Sequence, residues 1–216
     1  FGRYGFTGLS IETICLVVNS RQKPQKTFIH NMKYNFRINQ NQEYITDTMY
    51  PYFLIYRDGK FDEVANKLQF DVFTVFRDRQ ITKKNTTKQN TNGYLRVIKA
   101  RNICDDGTIQ KIEGYDTYIN PDICKTLSVA KYIGQKHIYL TPNMTYKPRV
   151  ISNQPETVPD GSVAILIPKQ QIELTDVQKK YFATEEYRRF YFVARNLSTQ
   201  SINIDSKSVF FYGVLK

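Results

Sequence analysis

The sequence predicts an α+β fold, with a β-rich mixed-sheet core and a few short helices. Short runs of β-branched and aromatic residues recur along it, with Asp106-Gly107 and Asp160-Gly161 as tight-turn signals. Residues 163–168, VAILIP, lack polar alternation and should form a strand buried on both faces. Residues 175–194 instead carry two helix starts and an apolar stripe at helical spacing. A hydrophobic content of 41% over 216 residues suffices for a sizeable core and excludes a disordered tail. No repeat, heptad or low-complexity linker divides the chain, so residues 1–216 are expected to be one domain.

In chain order, residues 11–19, IETICLVVN, read as a buried strand ending at the polar turn SRQKPQK. Residues 28–38 and 42–45 read as further strands. Phe61, Val64, Ala65 and Leu68 are spaced for a short helix over 62–69, followed by a strand at 72–76. Residues 77–92, RDRQITKKNTTKQNTN, hold one Ile and no aromatic, and form a long basic, amide-rich loop. A strand at 94–103 should turn at Asp105, Asp106 and Gly107 into 108–112. Pro142 and Pro148 interrupt regular structure in 139–150. Thr175 with Gln178 has the form of a capping box, and Thr184 before Glu185 and Glu186 that of a second N-cap. Tyr187, Phe190, Tyr191 and Ala194 line one face of the helix 184–194, with Arg188 and Arg189 pointing away. Ile202, Ile204, Val209, Phe210 and Phe211 suggest closing strands.

The net charge of +11 calls for a polyanionic partner. No apolar run is long enough to span a bilayer and no basic amphipathic helix has a wide apolar face, so nucleic acid is favoured over membrane. Cys15, Cys104 and Cys124 lack disulfide or zinc spacing and read as buried, reduced thiols of a cytoplasmic protein. The chain starts at Phe1 without a signal-peptide pattern, as expected of a domain from a longer protein. Catalytic signatures are missing: there is no Gly-rich phosphate loop, GxSxG, zinc spacing or Asn-Pro-Pro-Tyr. His30-Asn31 lacks a second His or a metal-spaced carboxylate, and Pro159-Asp160 precedes Lys169 without the acidic partner of a nuclease core.

Binding chemistry is better represented. Arg77, Arg79, Lys83, Lys84 and Lys88 can neutralise phosphates, while Gln80, Asn85, Gln89 and Asn90 can meet base edges. Lys99, Arg101 and Asn102 follow on the next strand and its exit, and Thr145, Tyr146, Lys147 and Arg149 occupy the proline-bounded turn. After the last helix, Arg195, Asn196, Ser198, Thr199, Gln200, Ser201 and Asn203 form a run of hydrogen-bonding side chains. A solvated insertion at 77–92 and a plain connector at 195–203 are the alternatives from local sequence alone.

The segments YLRVIKARNICDDGTI, YLTPNMTYKPRV, VPDGSVAILIPK and FATEEYRRFYFVARNLSTQSINIDSKSVFFYGVL resemble, in order, the C-terminal target recognition (specificity) region of type II restriction-modification adenine-specific DNA methyltransferases. FTGLSIETICLVVN resembles the junction with the catalytic domain of such enzymes, placing residues 1–20 at that boundary. A strand followed by a hairpin, and a helix whose exit reads STQSINI, are more loosely similar to recognition domains of type I specificity subunits. The resemblance implies sequence-specific binding of double-stranded DNA in a prokaryotic cytoplasm. It also implies a catalytic domain of the same polypeptide, absent from this chain, that uses S-adenosylmethionine, and a cognate restriction endonuclease as a further partner. No cofactor is expected in the chain itself. The helix 184–194 would be scaffold and the loop after it would meet DNA. Two other classes compete: a single-stranded nucleic-acid binder stacking bases on its 16 Tyr and 14 Phe, and a nuclease of unrecognised chemistry.

Overall fold

The computed structural model describes residues 6–8, 13–21, 25–145, 147–198 and 203–216. In chain order its elements are β1 (Lys26–Asn31), β2 (Phe36–Asn41), α1 (Gln42–Ile45), α2 (Gly59–Lys67), β3 (Leu68–Gln69), β4 (Phe73–Arg77), β5 (Leu95–Ile98), β6 (Thr117–Ile119), α3 (Pro121–Lys125), β7 (Tyr139–Pro142), β8 (Ile151–Ser152), β9 (Thr157–Pro159), β10 (Val163–Pro168), α4 (Asp176–Tyr181), α5 (Glu185–Ala194) and β11 (Val214–Leu215). The fold is α+β, as the sequence predicts.

The central sheet is antiparallel, in the order β4-β10-β7-β8. Side chains of β10 alternate between two separate cores, which is why its sequence has no polar positions. Ala164 and Leu166 face a core built with α2, α5 and the 3-10 turn Ser208–Phe211. Val163 and Ile165 face a second core with Val97, Ile98, Ile119, Val158 and Cys124. That second core is closed by the sheet β6-β5-β9, in which β5 and β9 run parallel. The hairpin β1-β2 and the short pair β11-β3 complete the described sheets.

Both helix starts form as the sequence predicts. Thr175 Oγ1 accepts from Gln178 N and Gln178 Oε1 accepts from Thr175 N, closing the capping box of α4. Thr184 Oγ1 accepts from Tyr187 N at the start of α5, with Glu185 and Glu186 in its first turn. Tyr187, Phe190, Tyr191 and Ala194 are buried, and Phe190 stacks on Phe61 of α2 with ring centroids 4.6 Å apart. Burial pushes the Tyr187 and Tyr212 phenols well above an ordinary tyrosine, and Tyr187 OH donates to Phe211 O. Arg188 and Arg189 do point away, into ion pairs with Asp105 and Asp58.

Several expected strands fail or are cut short. Residues 14–19 are not a buried strand: none of the sheets takes them in, and Val17 is 90% exposed; residues 11 and 12 lie outside the described residues. Gln42–Ile45 is helical because Asn41 Oδ1 accepts from Glu43 N and caps it. The strand expected over 94–103 stops at Ile98, since Asn102 Oδ1 accepts from Lys99 N and closes the 3-10 turn Ala100–Asn102. Beyond it the expected turn is present, with Gly107 at φ +88° and an isolated Ile103–Ile109 bridge in place of a second strand. Val209, Phe210 and Phe211 form a 3-10 turn, not a strand, because Asp205 Oδ1 accepts from Ser208 N; Ile202 lies outside the described residues. Of the cysteines, which are all free, only Cys124 is buried; Cys15 is exposed. No helix among the described residues is long and apolar enough to cross a membrane.

Candidate nucleic-acid interface

Antiparallel pairing brings the segments singled out in the sequence to one edge of the central sheet. Arg77 ends β4 opposite Ala164, and Pro142 ends β7 opposite Val163, so 77–92 and 143–149 leave the sheet where the turn 160–162 enters it. That turn is the hub of the edge. Asp160 Oδ1 accepts from both the amide and the hydroxyl of Ser162, at 2.9 and 2.5 Å. Ser162 Oγ accepts from Ala100 N at 3.0 Å, and Ser162 O accepts from Asn143 N at 2.9 Å. Asn143 is buried, and its Nδ2 donates to Gly161 O and Asn203 Oδ1 while its Oδ1 accepts from Ile204 N. Glycine is required at 161 because a Cβ there would stand 2.8 Å from Asp78 O, at the root of the 77–92 loop.

The loop is ordered by its own side chains. Asp78, 2% exposed, accepts through Oδ2 from Gln80 N and Ile81 N, and Ile81 packs on the second core. Asn85 Oδ1 accepts from Thr82 N and its Nδ2 donates to Gln80 O, while Gln80 Oε1 accepts from Ser128 N. Asn85 is therefore committed to the scaffold, against the expectation that it meets base edges, while Gln80 is exposed and held through its Oε1 alone. Thr87 exchanges two backbone hydrogen bonds with Tyr118, fastening the loop to β6. Arg79, Lys83, Lys84, Lys88, Gln89 and Asn90 are left exposed, and Arg77 is half-buried in β4.

Asn102 is fully buried and cannot face a ligand: its Oδ1 accepts from Lys99 N and its Nδ2 donates to Gln110 O and Asp116 Oδ1. Lys99 Nζ donates to Tyr115 O at 2.8 Å and lies 4.8 Å from the Tyr115 ring centroid, where Arg101 also sits at 5.5 Å. Burial lowers the Lys99 pKa below that of an ordinary lysine; Asp160 and Asp116 oppose that shift, and Lys88 adds to it. Thr145 Oγ1 accepts from Lys147 N and donates to Lys147 O, holding the exposed Lys147 in a tight turn; Tyr146 lies outside the described residues. Arg149 lies 3.7 Å from Asp105 Oδ1 and Arg188 of α5 2.7 Å from Asp105 Oδ2, so Asp105 ties the turn after β5 to both the 143–149 segment and α5.

At the exit of α5, Asn196 takes φ +52° and is a structural residue: its Oδ1 accepts from Ile55 N and its Nδ2 donates to Phe53 O. Arg195 Nη2 donates to Asn203 O at 3.4 Å. Asn203, through Asn143, ties the far end of the exit segment to the hub. Thr199, Gln200 and Ser201 lie outside the described residues.

Between the 77–92 loop and the β5-β6 pair runs a groove of about 690 Å³. Lys83, Lys88 and Lys99 line it, with Ile81 and Val97 as apolar lining and Tyr115 and Asp160 among its walls. Sequence reasoning missed Asn143, Tyr115 and the hub role of Ser162, whose partners are distant in the chain. The necessary glycine beside Asp160 was the available signal. No family model matches the chain, and no curated protein matches it.

Proposed function

We propose that this chain is a target recognition domain that binds double-stranded DNA sequence-specifically and directs adenine methylation by a separate catalytic domain in a restriction-modification system. The observation that supports it is the convergence of three basic or polar segments, 77–92, 99–102 and 143–149, together with Asn203 beyond the α5 exit, on one sheet edge around the turn 160–162. Arg79, Lys83, Lys84, Arg101 and Lys147 project from this edge without being absorbed into the core. In the proposed role, lysines position the duplex through phosphates, and Arg79, Gln89 and Asn90 are the exposed side chains suited to reading base edges. S-adenosylmethionine belongs to the proposed catalytic partner. The groove here does not suit it, because three lysines would face its sulfonium cation.

Stacking on single strands has less support, since about half of the aromatic residues are spent in the core around α5, including Tyr50, Phe61, Phe73, Phe190, Phe211 and Tyr212, and the 77–92 loop has none. Selection from a random duplex library, followed by anisotropy titration against salt, tests the proposal. A selected sequence preferred over bulk competitor, with log affinity falling steeply against log salt, is the expected result. Absence of duplex binding at low salt, or tighter binding to the single strand, would overturn it. Arg79→Ala should relax sequence choice more than Lys88→Ala; equal losses on all sequences for both would count against base reading by Arg79.

A further inference from the structure

The groove beside the 77–92 loop has a hydrogen-bonding pattern of its own. Lys88 Nζ donates to Gly114 O at 2.9 Å and Lys99 Nζ donates to Tyr115 O at 2.8 Å, so two ammonium groups are fixed on adjacent carbonyls of one turn. Each has donors to spare, as an ammonium carries three. Among the described residues no carboxylate lies within ion-pair distance of Lys83, Lys88 or Lys99. Asp116, nearby, is engaged by Arg96 at 2.8 Å and by Asn102; Asp160, in the lining, is bonded to Ser162 through Oδ1 alone and is the one carboxylate of the groove. The threonines add further donors. Thr82 Oγ1 accepts from Lys84 N and Thr87 Oγ1 accepts from Gln89 N, which leaves both hydroxyl protons available. Thr117 is also in the lining, but its Oγ1 is buried and adds no accessible donor.

With three ammonium groups against the single carboxylate of Asp160, the groove is net cationic and rich in donors, which does not match the mixed donor and acceptor edges of bases. It matches phosphodiester oxygens, which only accept. Ile81, Val97 and the threonine methyls supply apolar surface of the kind that deoxyribose carbons cover. We infer that this groove seats the sugar–phosphate backbone of one strand of the duplex and is blind to sequence, with Lys83, Lys88 and Lys99 as its phosphate contacts. The inference rests on the duplex-binding reading above and adds to it a division of labour: the groove fixes register, and the exposed loop residues outside it read bases.

The test compares the wild-type chain with Lys88→Met/Lys99→Met, titrating the selected duplex and an unrelated duplex over a series of salt concentrations. Loss of two phosphate contacts should reduce the magnitude of the log–log salt slope by about 2 and weaken both duplexes by the same factor. Lys88→Arg/Lys99→Arg should restore the slope. Thermal melting of each variant controls for folding, and Lys83→Met/Lys88→Met, which alters only exposed lysines, repeats the comparison if Lys99→Met is unstable. An unchanged slope in a folded double variant overturns the inference while leaving the recognition reading intact. A loss confined to the selected duplex also overturns it, because the groove would then be reading bases. If the wild-type chain binds no duplex, the recognition reading itself fails and the groove assignment falls with it.

Discussion

Asn143→Ala is the most informative single change, because one buried amide joins three parts of the candidate interface. Its side chain is 2% exposed and makes three hydrogen bonds, of 3.1 Å to Gly161 O, 2.8 Å to Asn203 Oδ1 and 3.1 Å from Ile204 N. At roughly 0.5–1.5 kcal/mol net for each bond, truncation should cost about 2–3 kcal/mol. The lower half of the summed range is chosen because Ile204 N keeps a second acceptor in Asn143 O at 3.3 Å. In a domain of this size that lowers the melting temperature by about 4–12 °C. Asn143→Asp separates hydrogen bonding from size: its carboxylate would face Gly161 O and Asn203 Oδ1 with no proton to donate. It should be less stable than the alanine variant at neutral pH and regain ground under acid. Urea unfolding of both variants, with the midpoint and slope fitted separately, provides the check. An alanine variant within about 0.5 kcal/mol of wild type, or an aspartate variant equal to wild type at neutral pH, would refute the hub.

Other consequences can be measured alongside. Gly161→Ala forces a Cβ to 2.8 Å from Asp78 O, and the resulting shift of loop or turn should cost about 1–3 kcal/mol in a thermal melt, with no loss expected if the loop is not seated there. Asp47 is held below the ordinary aspartate range by the Met49 amide and then by the Arg57 guanidinium. Its contribution is therefore complete above the unfolded value of about 3.9 and lost as pH falls through the lower folded value. Asp47→Asn should accordingly flatten the difference between melting temperatures at pH 6 and pH 3. A double-mutant cycle on Arg188 and Asp105 should give a coupling of about 0.2–1 kcal/mol, small because Asp105 is exposed. Phe190→Ala, removing a ring stacked on Phe61 and Phe70, should cost about 3–5 kcal/mol by urea unfolding.

The parts of the fold that were legible in the sequence are those determined within a few residues. The two N-caps, the stripe on α5 and the doubly buried β10 are local patterns, and each forms as read. Residues 14–19 show the limit of such reading: branched apolar composition favours a strand, but burial needs a partner, and none of the described sheets supplies one. Polar residues were harder still. Asn102 and Asn196 look like surface amides in a basic chain, yet one closes a 3-10 turn and the other bonds to the backbone of Phe53 and Ile55. The Ser162–Ala100 and Asn143–Asn203 bonds span 62 and 60 positions, so the hub leaves no periodic trace in sequence. What was legible of the candidate site was its charge and its segments; which side chains remain free became clear only from their partners.

The shared position of β10 between two cores has a kinetic consequence. Its peptide hydrogens lie under apolar cover on both faces and between two paired strands, so native-state exchange there should require opening of the whole domain. The 77–92 loop is fastened by side-chain bonds near its root, one bridge to Tyr118 and the exposed Lys88–Gly114 bond, none of them to β10, so its outer residues should open without disturbing that strand. A contacting segment that breathes on a root that does not would let the loop adjust to a partner at little expense to global stability, with protection factors rising steeply from Gln89 towards Val163.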